Sequence, residues 1–527
     1  MTQIALLVAV AALALGINRL TRIPSVPLLV LGGVLLSVFG AAGEPAMLRD
    51  ILVLGLAFLV FVMGADLHPE RVGRQGRAAL IIGTLQFLTL AAVGFLAAFL
   101  LGFRGNDVLY LSLALAASST LVVVNLLRQR QQMFEPFGRL VLGVLLLQDL
   151  LIVLLLSALS RADAGAAGAA QGLGSALLLV ALAYGGMRWA VPWLLLHTSL
   201  DEEGQLISVV ALLFLFAGLA HLLGLPIIVG AFLGGITLSS FPVSGVIRGQ
   251  LSSLSDFFLA VFFVALGASL TLPGGRDLVA VGVLSLLVVV VTPPLVTVLA
   301  RWARQTARTG IEGGLFLAQC SEFSLIVAIL GAESGHTSPE ILSIIALVTV
   351  LTMILTPFLA TDTLTWRLMH LYPSPHSRAP LPGPSGHVLL VGCSKVGTDL
   401  LPRLTEEGRT VVVVDEDPAV LEKIQSRFPV TALRGDGADH RTLTAAGARS
   451  AEVIISMMRR LEDNERLLRF AGGRPVLVRV FGPEEARRIE ALGGRPVVFS
   501  AAAADSFLRW YEEHIKNGGL HPDLQAT

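Results

Sequence analysis

The sequence predicts a helical membrane protein that carries a smaller α/β domain at its C-terminal end. Hydrophobic residues make up 54% of the 527 residues and charged residues only 14%, with a mean hydropathy of +0.77. A soluble domain carries about 25% charged residues, so most of this chain is expected to face lipid. Beyond residue 386 the long apolar runs give way to short β-branched runs that alternate with helical segments, a pattern typical of a parallel α/β sheet.

Composition also excludes several classes of function. The formal net charge is zero, so there is no global basic field that would attract nucleic acid. Cys320 and Cys393 are the only cysteines, which excludes a disulfide framework and leaves no metal-ligand spacing. The first apolar run has neither a basic region before it nor a small-residue cleavage site after it. We interpret that run as a retained first helix rather than a signal peptide.

Thirteen apolar runs approach the length of about 20 residues that crosses the hydrocarbon core. Each is bounded by charge, glycine or proline. The predicted spans are 1–18, 25–42, 50–67, 78–102, 107–128, 137–160, 171–197, 205–223, 226–241, 254–272, 276–300, 309–334 and 340–360.

The distribution of arginine between these spans predicts the orientation. An odd number of spans puts the two ends of the chain on opposite sides of the membrane. With the N-terminus outside, the cytoplasmic loops hold Arg19, Arg22, Arg71, Arg74, Arg77, Arg128, Arg130, Arg139, Arg248, Arg301, Arg304 and Arg308. The opposite side then holds only Arg49, Arg104, Arg161 and Arg276. Because basic residues favour the cytoplasmic side, we expect a multi-pass protein of the cell (inner) membrane whose C-terminal domain is cytoplasmic.

Asp149 is the first candidate for ion chemistry, because it lies in the middle of an apolar span. Ionisable groups inside a membrane helix are costly and are by default a functional hypothesis. A carboxylate at this depth can bind a cation when ionised and a proton when desolvated, which is the competition that exchange requires. The alternative is a structural aspartate that is hydrogen-bonded to a neighbouring helix. Gln148 beside it can supply an amide oxygen or merely cap a polar pocket.

Two further polar groups of residues lie near the middle of apolar spans. Ser118, Ser119 and Thr120 are small or hydroxylated residues that tolerate local unwinding, and freed carbonyls with hydroxyls can bind a hard cation. Close helix packing through small residues is the alternative. Glu322 is the second mid-span carboxylate and has Gln319 nearby. It can pair with a polar group, orient a broken helix or join a proton path.

Several motifs together resemble a known family. FVMGADL, the ASST run followed by LLLQDLLIV, GLPIIVGAFLGGITLS, FFVALGASL and AQCSEFSLIVA occur in this order. Their order and spacing are similar to those of the second monovalent cation:proton antiporter family, which contains the Kef-type glutathione-gated potassium efflux systems. The resemblance implies a Na⁺/H⁺ exchanger-like fold of two inverted repeats with broken crossing helices. It also implies a dimerisation part, a homodimer and elevator-type alternating access.

The same resemblance implies roles for individual residues. Asp149 would bind the monovalent cation, K⁺ or Na⁺, and the proton. Gln148 stands where sodium-exchanging relatives have a second aspartate, which implies one proton per cation and potassium rather than sodium. Ser118, Ser119 and Thr120 would lie at the first crossing, with Gln319 and Glu322 at the second. The chain departs from many relatives in having no lysine in span 276–300, where Thr292 stands near the expected place.

The segment after the membrane part reads as a linker followed by a nucleotide-binding domain. Residues 371–386 contain five prolines, which predicts a semi-rigid linker. The strand HVLLVG then leads into a loop that resembles GxGxxG, with serine as its second glycine position. Glycine lets the backbone approach a phosphate closely, and the N-terminus of the helix that follows favours a bound anion through the helix dipole. The loop residues are Gly392, Ser394, Lys395, Val396 and Gly397.

Acidic residues after the next two strands suggest which nucleotide is bound. Asp415 ends the second strand 23 residues beyond Gly392, where a carboxylate binds ribose hydroxyls and repels a 2′-phosphate. An adenine nucleotide (AMP or ATP) or NAD(H) is therefore favoured over NADP. Asp436 follows the third strand, and residues 387–510 resemble TrkA-N domains, which dimerise and gate attached transporters. The alternative is a degenerate Rossmann-like domain that only dimerises, and Cys393 is either a redox-sensitive thiol or a loop-filling residue.

These observations predict four segments and one leading function. The segments are an exchanger domain 1–370, the linker 371–386, a TrkA-N nucleotide-binding domain 387–510 and a tail 511–527.

The leading hypothesis is a K⁺/H⁺ antiporter regulated by nucleotide, with a Na⁺/H⁺ antiporter as the alternative. A ligand-gated potassium channel is a further alternative, but it would need a selectivity filter such as a TVGYG loop, and the sequence contains none. A membrane-tethered NAD-dependent oxidoreductase would have only about 140 soluble residues and no recognisable acid/base set, so we expect a transporter rather than an enzyme.

Overall fold

The structure is a computed structural model that describes residues 2–21, 25–41, 44–66, 76–130, 132–133, 135–161, 164–193, 201–239, 245–270, 274–369, 385–393 and 395–512. The chain divides into two compact units, Met1–Tyr372 and Pro373–Thr527. Ser394, linker residues 371–384 and tail residues 513–527 lie outside the described part.

The first unit is helical, as the apolar runs predict. Within the described residues, nine helices are long and apolar enough to span a membrane, and three shorter ones are also apolar. The helices are α1 Thr2–Thr21, α2 Ser25–Val38, α3 Pro45–Asp66, α4 Gly76–Leu100, α5 Asn106–Ala114, α6 Thr120–Gln129, α7 Pro136–Leu159, α8 Gly165–Gly185, α9 Glu202–Leu222, α10 Ile227–Ile236, α11 Gly245–Ser269, α12 Gly275–Trp302, α13 Ala307–Phe316, α14 Phe323–Glu333, α15 Pro339–Leu359 and α16 Asp362–Met369. A π-helical turn, Gly186–Ala190, continues α8.

Two of the predicted spans are each broken into a pair of short helices. Span 107–128 forms α5 and α6, separated by the non-helical residues 115–119, which we name the first crossing segment. Span 309–334 forms α13 and α14, separated by residues 317–322, the second crossing segment. Ser119 caps α6 by accepting a hydrogen bond of 3.2 Å from the backbone N–H of Val122. A hydroxyl in this position offers the backbone an alternative to a continuous helix.

The order of long helix, broken pair and long helix occurs twice. α4, the α5–α6 pair and α7 form the first repeat, and α12, the α13–α14 pair and α15 form the second, starting about 200 residues later. The repeats pack together, because α4 contacts α12, α7 contacts α13, and α5 contacts α14. The predicted fold of repeated units with broken crossing helices is therefore confirmed.

Helices α2, α3, α10 and α11 form a second packed group. Small residues permit close approach, as where Gly33 of α2 meets Gly267 of α11. A Cβ atom at either glycine would collide with backbone atoms of the opposite helix.

Several helices begin earlier than their predicted spans. α11 starts at Gly245 rather than at residue 254, and α3 starts at Pro45, so Arg49 lies inside a helix and not in a loop. Other arginines predicted to lie in loops are likewise helical: Arg19, Arg77, Arg128, Arg139, Arg248, Arg276, Arg301 and Arg308. Helices can continue past the hydrocarbon layer, where the exposed side chains of Arg49, Arg276 and Arg301 reach the polar interface, whereas Arg308 is buried and pairs with Glu312. Arg22, Arg71 and Arg74, also predicted to lie in loops, fall outside the described residues.

The second unit is a parallel six-stranded α/β domain. Its elements are β1 Val388–Val391, α17 Lys395–Glu406, β2 Val411–Asp415, α18 Pro418–Gln425, β3 Thr431–Arg434, α19 His440–Ala445, β4 Val453–Ser456, α20 Leu461–Ala471, β5 Val476–Val480, α21 Pro483–Ala491, β6 Arg495–Val498 and α22 Phe499–Tyr511. The strand order β3-β2-β1-β4-β5-β6 is that of a Rossmann fold. The sequence analysis did not identify β6, a short edge strand in which Pro496 is tolerated.

Candidate functional site

The two crossing segments gather polar side chains into a buried region of the first unit. All seven residues predicted to form the ion site are at most 2% exposed: Ser118, Ser119, Thr120, Gln148, Asp149, Gln319 and Glu322. Hydrogen bonds link the first crossing segment both to α7 and to the second crossing segment. The fold therefore brings together residues that are about 200 positions apart in the sequence.

Asp149 lies in α7 beside the start of α6. Its Oδ2 accepts a hydrogen bond of 2.8 Å from the hydroxyl of Thr120. Its Oδ1 is buried and has no hydrogen-bond partner among the described residues. Buried polar atoms are normally paired, so this carboxylate oxygen keeps the capacity to accept a further hydrogen bond or to bind a cation.

Gln148 uses its side-chain oxygen to hold the first crossing segment. Its Oε1 accepts a hydrogen bond of 3.1 Å from the backbone N–H of Ser118, while its Nε2 has no partner among the described residues. The oxygen that the sequence analysis offered as a cation ligand is therefore engaged with the backbone. This contact favours a bracing role for Gln148.

Ser118 joins the two crossing segments directly. Its hydroxyl donates a hydrogen bond of 2.8 Å to the carbonyl oxygen of Leu317 and accepts one of 3.2 Å from Nε2 of Gln86. Gln86 lies in α4, is fully buried, and was not selected from the sequence. The available signal was a lone amide within a long apolar run.

Glu322 is placed between the beginnings of two short helices. It directly precedes α14, and its Oε1 accepts a hydrogen bond of 2.5 Å from the hydroxyl of Ser119. The backbone N–H of Leu121, the second residue of α6, lies near the same carboxylate. Helix N-termini carry partial positive charge, so a carboxylate here balances two helix dipoles. Glu322 is also close enough to Asp149 for their charges to interact.

Other buried polar atoms around the crossings also have no hydrogen-bond partner within the described residues. Gln319 donates from Nε2 to the carbonyl of Phe316 at 3.3 Å, but its Oε1 is unpartnered. Within α4, α7, α12, α15 and the second crossing segment, the unpartnered atoms are Gln86 Oε1, Gln148 Nε2, Asp149 Oδ1, Ser285 Oγ, Thr292 Oγ1, Gln319 Oε1, Glu322 Oε2 and Thr349 Oγ1. All eight atoms belong to the two repeats, and each keeps hydrogen-bonding capacity that the described residues do not use.

In the second unit, the loop after β1 turns through a left-handed glycine just before a helix begins. Gly392 has φ of +77°, a left-handed conformation that favours glycine, and its N–H donates to the carbonyl of Val414 at 2.8 Å. Helix α17 starts at Lys395, so Val396 and Gly397 lie in its first turn. Ser394, the substituted motif position, lies outside the described residues.

The acidic residues lie at the carboxyl ends of the neighbouring strands β2 and β3. Asp415 ends β2, where Oδ2 accepts a hydrogen bond of 2.6 Å from the N–H of Cys393, and Oδ1 accepts one of 2.9 Å from the N–H of Asp417. Asp436 follows β3 and accepts a hydrogen bond of 2.8 Å from the N–H of Ala438. Because β3, β2 and β1 are adjacent, both carboxylates and Gly392 occupy the edge where nucleotides bind in Rossmann folds.

Cys393 has the environment of a structural thiol. Burial raises the pKa of the Cys393 thiol, and the charge of Asp415 raises that pKa further, although a hydrogen bond with Thr398 acts against the shift. The thiolate is the reactive form, so a raised pKa disfavours redox sensing. The loop-filling interpretation is favoured.

Comparison with known proteins assigns both units. The sequence model of the sodium/hydrogen exchanger transmembrane family matches residues 5–366, and that of the TrkA-N domain matches residues 388–500.

Among curated proteins, the chain is similar to a chloroplastic K(+) efflux antiporter 1 of Arabidopsis thaliana, with 28% identity over 70% of this chain and 32% of that protein. It thus spans about a third of the length of that relative. It is 26% identical to the glutathione-regulated potassium-efflux system protein KefC of Shigella flexneri, over 79% of this chain and 68% of that protein. It is also 29% identical to the iron transporter MagA of Paramagnetospirillum magneticum, over 71% and 87% respectively.

Among solved structures, the TrkA-N domain of inner membrane protein ybaL from Escherichia coli aligns with a TM-score of 0.23 and 20% identity. That alignment covers 24% of this chain and 97% of the other. A GsuK channel bound to NAD aligns with a TM-score of 0.21 and 16% identity, over 42% and 40% of the two chains.

Proposed function

The chain belongs to the sodium/hydrogen exchanger family of cation:proton antiporters, and from this premise we propose that it exchanges potassium for protons under nucleotide control. The membership makes it a multi-pass membrane transporter rather than an enzyme, with a TrkA-N domain at its C-terminal end. The identity of the cation, the regulation and the roles of individual residues are the parts that we propose.

The unpartnered oxygen of Asp149 is the observation that carries the proposal. A single buried carboxylate can hold either one proton or one monovalent cation, and the two compete for the same oxygen atoms. The hydroxyl of Thr120 orients Oδ2 and leaves Oδ1 available. Exchange follows when the loaded site is exposed alternately to the two sides of the membrane.

The oxygen atoms of the crossing region favour a weakly hydrated monovalent cation as the ion that binds beside Asp149. Thr120 Oγ1 binds the same carboxylate, and Gln319 and Glu322 each contribute one unpartnered oxygen to the crossing region. We propose potassium rather than sodium, because Gln148 replaces a second carboxylate and is engaged with Ser118. Sodium is the alternative that the assay below distinguishes.

A cavity between the two helix groups supports an alternating-access mechanism. It measures about 530 Å³ and lies between α3 and α11 on one side and α14 and α15 on the other. Arg49 of α3 and Glu333 of α14 both line it and form an ion pair of 2.7 Å. We propose that the two repeats move as the transporting body against α2, α3, α10 and α11.

We also propose an outside N-terminus, a cytoplasmic C-terminal domain and a homodimer, the last by resemblance to the family.

Cation-driven proton movement tests the proposed function. In proteoliposomes with a pH-sensitive dye, added K⁺ is expected to dissipate an imposed pH gradient more strongly than Na⁺ or Li⁺. A larger response to Na⁺ would replace potassium by sodium as the transported ion. No proton movement with any of the three cations, with and without added AMP, ATP or NADH, would exclude antiport by this protein.

We propose that an adenine nucleotide or NAD(H) binds at the carboxyl edge of the sheet and sets the exchange rate. The left-handed Gly392, the first turn of α17 and Asp415 supply a close-approach loop, a helix N-terminus and a ribose-binding carboxylate. The charge of Asp415 disfavours the 2′-phosphate of NADP.

Replacing Asp415 by asparagine is expected to reduce the preference for NAD over NADP by about tenfold, equivalent to ~1.4 kcal/mol. The amide oxygen can still accept the Cys393 N–H and so hold the loop after β1, although the hydrogen bond from the Asp417 N–H is lost together with the repulsive charge. Titration calorimetry on the full-length protein in detergent measures both affinities. Asp505→Asn serves as a control, because it removes an exposed carboxylate of α22, beyond the opposite edge strand β6. An unchanged ratio in Asp415→Asn would contradict the ribose-binding role.

A further inference from the structure

Each crossing segment has a buried backbone N–H that is bound by a side chain of the last helix in its own repeat. In the first repeat, the N–H of Ser118 donates to Oε1 of Gln148 in α7 at 3.1 Å. In the second repeat, the N–H of Cys320 donates to Oγ1 of Thr352 in α15, also at 3.1 Å. Thr352 therefore makes in the second repeat the same kind of contact that Gln148 makes in the first.

The hydroxyl of Thr352 is oriented to accept this hydrogen bond. Its single proton points back along α15 and is shared between the carbonyls of Val348 and Thr349, at 2.9 and 3.0 Å, which leaves its lone pairs for Cys320. Thr352 is fully buried and Cys320 is 1% exposed, so the contact lies away from bulk water. Thr356, one turn further along α15, differs in that its hydroxyl donates only to the carbonyl of Thr352. The cross-helix contact thus distinguishes two otherwise similar buried threonines.

We propose that Thr352 is a positioning residue for ion exchange. It fixes the second crossing segment at Cys320, which lies between Gln319 and Glu322. Gln319 has an unpartnered side-chain oxygen. Glu322 accepts a hydrogen bond from the Ser119 hydroxyl and is close enough to Asp149 for the charges of the two carboxylates to interact. The position of these oxygen atoms relative to Asp149 therefore depends on Thr352. This inference rests on the exchange function proposed above.

Removing the hydroxyl is expected to change how the site binds its cation rather than whether the protein folds. Thr352→Val keeps the shape of the side chain but leaves the Cys320 N–H without an acceptor. An unpaired buried N–H is costly, so the second crossing segment is expected to shift until the N–H finds another partner. Residues that orient ion ligands typically alter affinity by about 10- to 100-fold when they are replaced.

Exchange in proteoliposomes tests the proposal through the apparent KM for K⁺ and the pH profile. Thr352→Val is expected to raise the KM by about tenfold and to displace the pH profile, since protons compete with the cation at Asp149. Thr352→Ser keeps the hydroxyl and is expected to restore a KM close to that of the wild type. Thr356→Val is the matched control and is expected to retain both the wild-type KM and the wild-type pH profile.

Two outcomes would overturn the positioning role. One is a Thr352→Val protein with the same KM and pH profile as Thr356→Val. If Thr352→Val does not fold, as judged by gel filtration, Thr352→Ala removes the acceptor with a smaller side chain, and a wild-type KM in that variant would equally overturn the role. Absence of exchange in the wild-type protein is a separate result, because it would overturn the proposed function together with this inference.

Discussion

Asp149→Asn is expected to reduce cation-driven proton movement to the level of protein-free liposomes. Asparagine has the same shape as aspartate and can still accept the Thr120 hydroxyl, so the contact to α6 is preserved. Because the asparagine amide does not ionise, it cannot take up the transported proton, and it offers no negative charge to compensate that of the cation. The measurement is the dye-reported decay of a pH gradient after addition of K⁺.

Ser157→Ala provides the matched control for Asp149→Asn on the same helix. Ser157 is fully buried in α7, and its hydroxyl only donates to the carbonyl of Val153, at 2.7 Å. We expect this variant to exchange at the wild-type rate. Wild-type exchange in Asp149→Asn would instead show that another group, with Glu322 as the first candidate, carries the proton.

Glu322→Gln is expected to lower both the exchange rate and the thermal stability of the cation-free protein. Glutamine can still accept the Ser119 hydroxyl, but it removes the negative charge that faces the beginnings of α6 and α14. A charge near a helix terminus contributes up to about 2 kcal/mol in a partly buried site, and two termini are involved here. We therefore expect the exchange rate to fall by about tenfold or more and Tm in detergent to decrease.

The thermal measurement separates the two carboxylates. Asp149 has one buried oxygen without a partner among the described residues, so Asp149→Asn is expected to leave the cation-free Tm unchanged or higher. Glu340→Gln, at an exposed position in the first turn of α15, is the control for loss of an acidic side chain. A Glu322→Gln protein with unchanged Tm and lower exchange would favour a ligand role over dipole compensation.

The fold class was predictable because its signals are local. A membrane helix needs about 20 consecutive apolar residues, and a parallel strand is a short β-branched run, so each element is visible within its own window. A charge in the middle of an apolar span is visible in the same way, which is why Asp149 and Glu322 were selected. The breaks at 115–119 and 317–322 coincide with small and polar runs, ASST and AQCSE.

The errors arose where local pattern is weak or misleading. Gln86 was overlooked because a single amide in an apolar helix carries no pattern, although its contact with Ser118 joins α4 to the first crossing segment. Strand β6 is four residues long and contains a proline. Arg49 was assigned to a loop because charge was taken as a helix boundary, whereas the helix continues and Arg49 pairs with Glu333.

The sequence by itself determined that this protein is a membrane transporter of the exchanger type with a Rossmann-like domain, and it determined which side chains are candidates for the site. Only the tertiary structure decided which atoms of those side chains are available. The oxygen of Gln148 is engaged with Ser118, while Oδ1 of Asp149 has no partner among the described residues. The Ser118–Leu317 and Ser119–Glu322 hydrogen bonds join residues about 200 positions apart, and such contacts arise from the crossing of two broken helices. No local periodicity encodes that crossing, because it depends on how the two repeats pack.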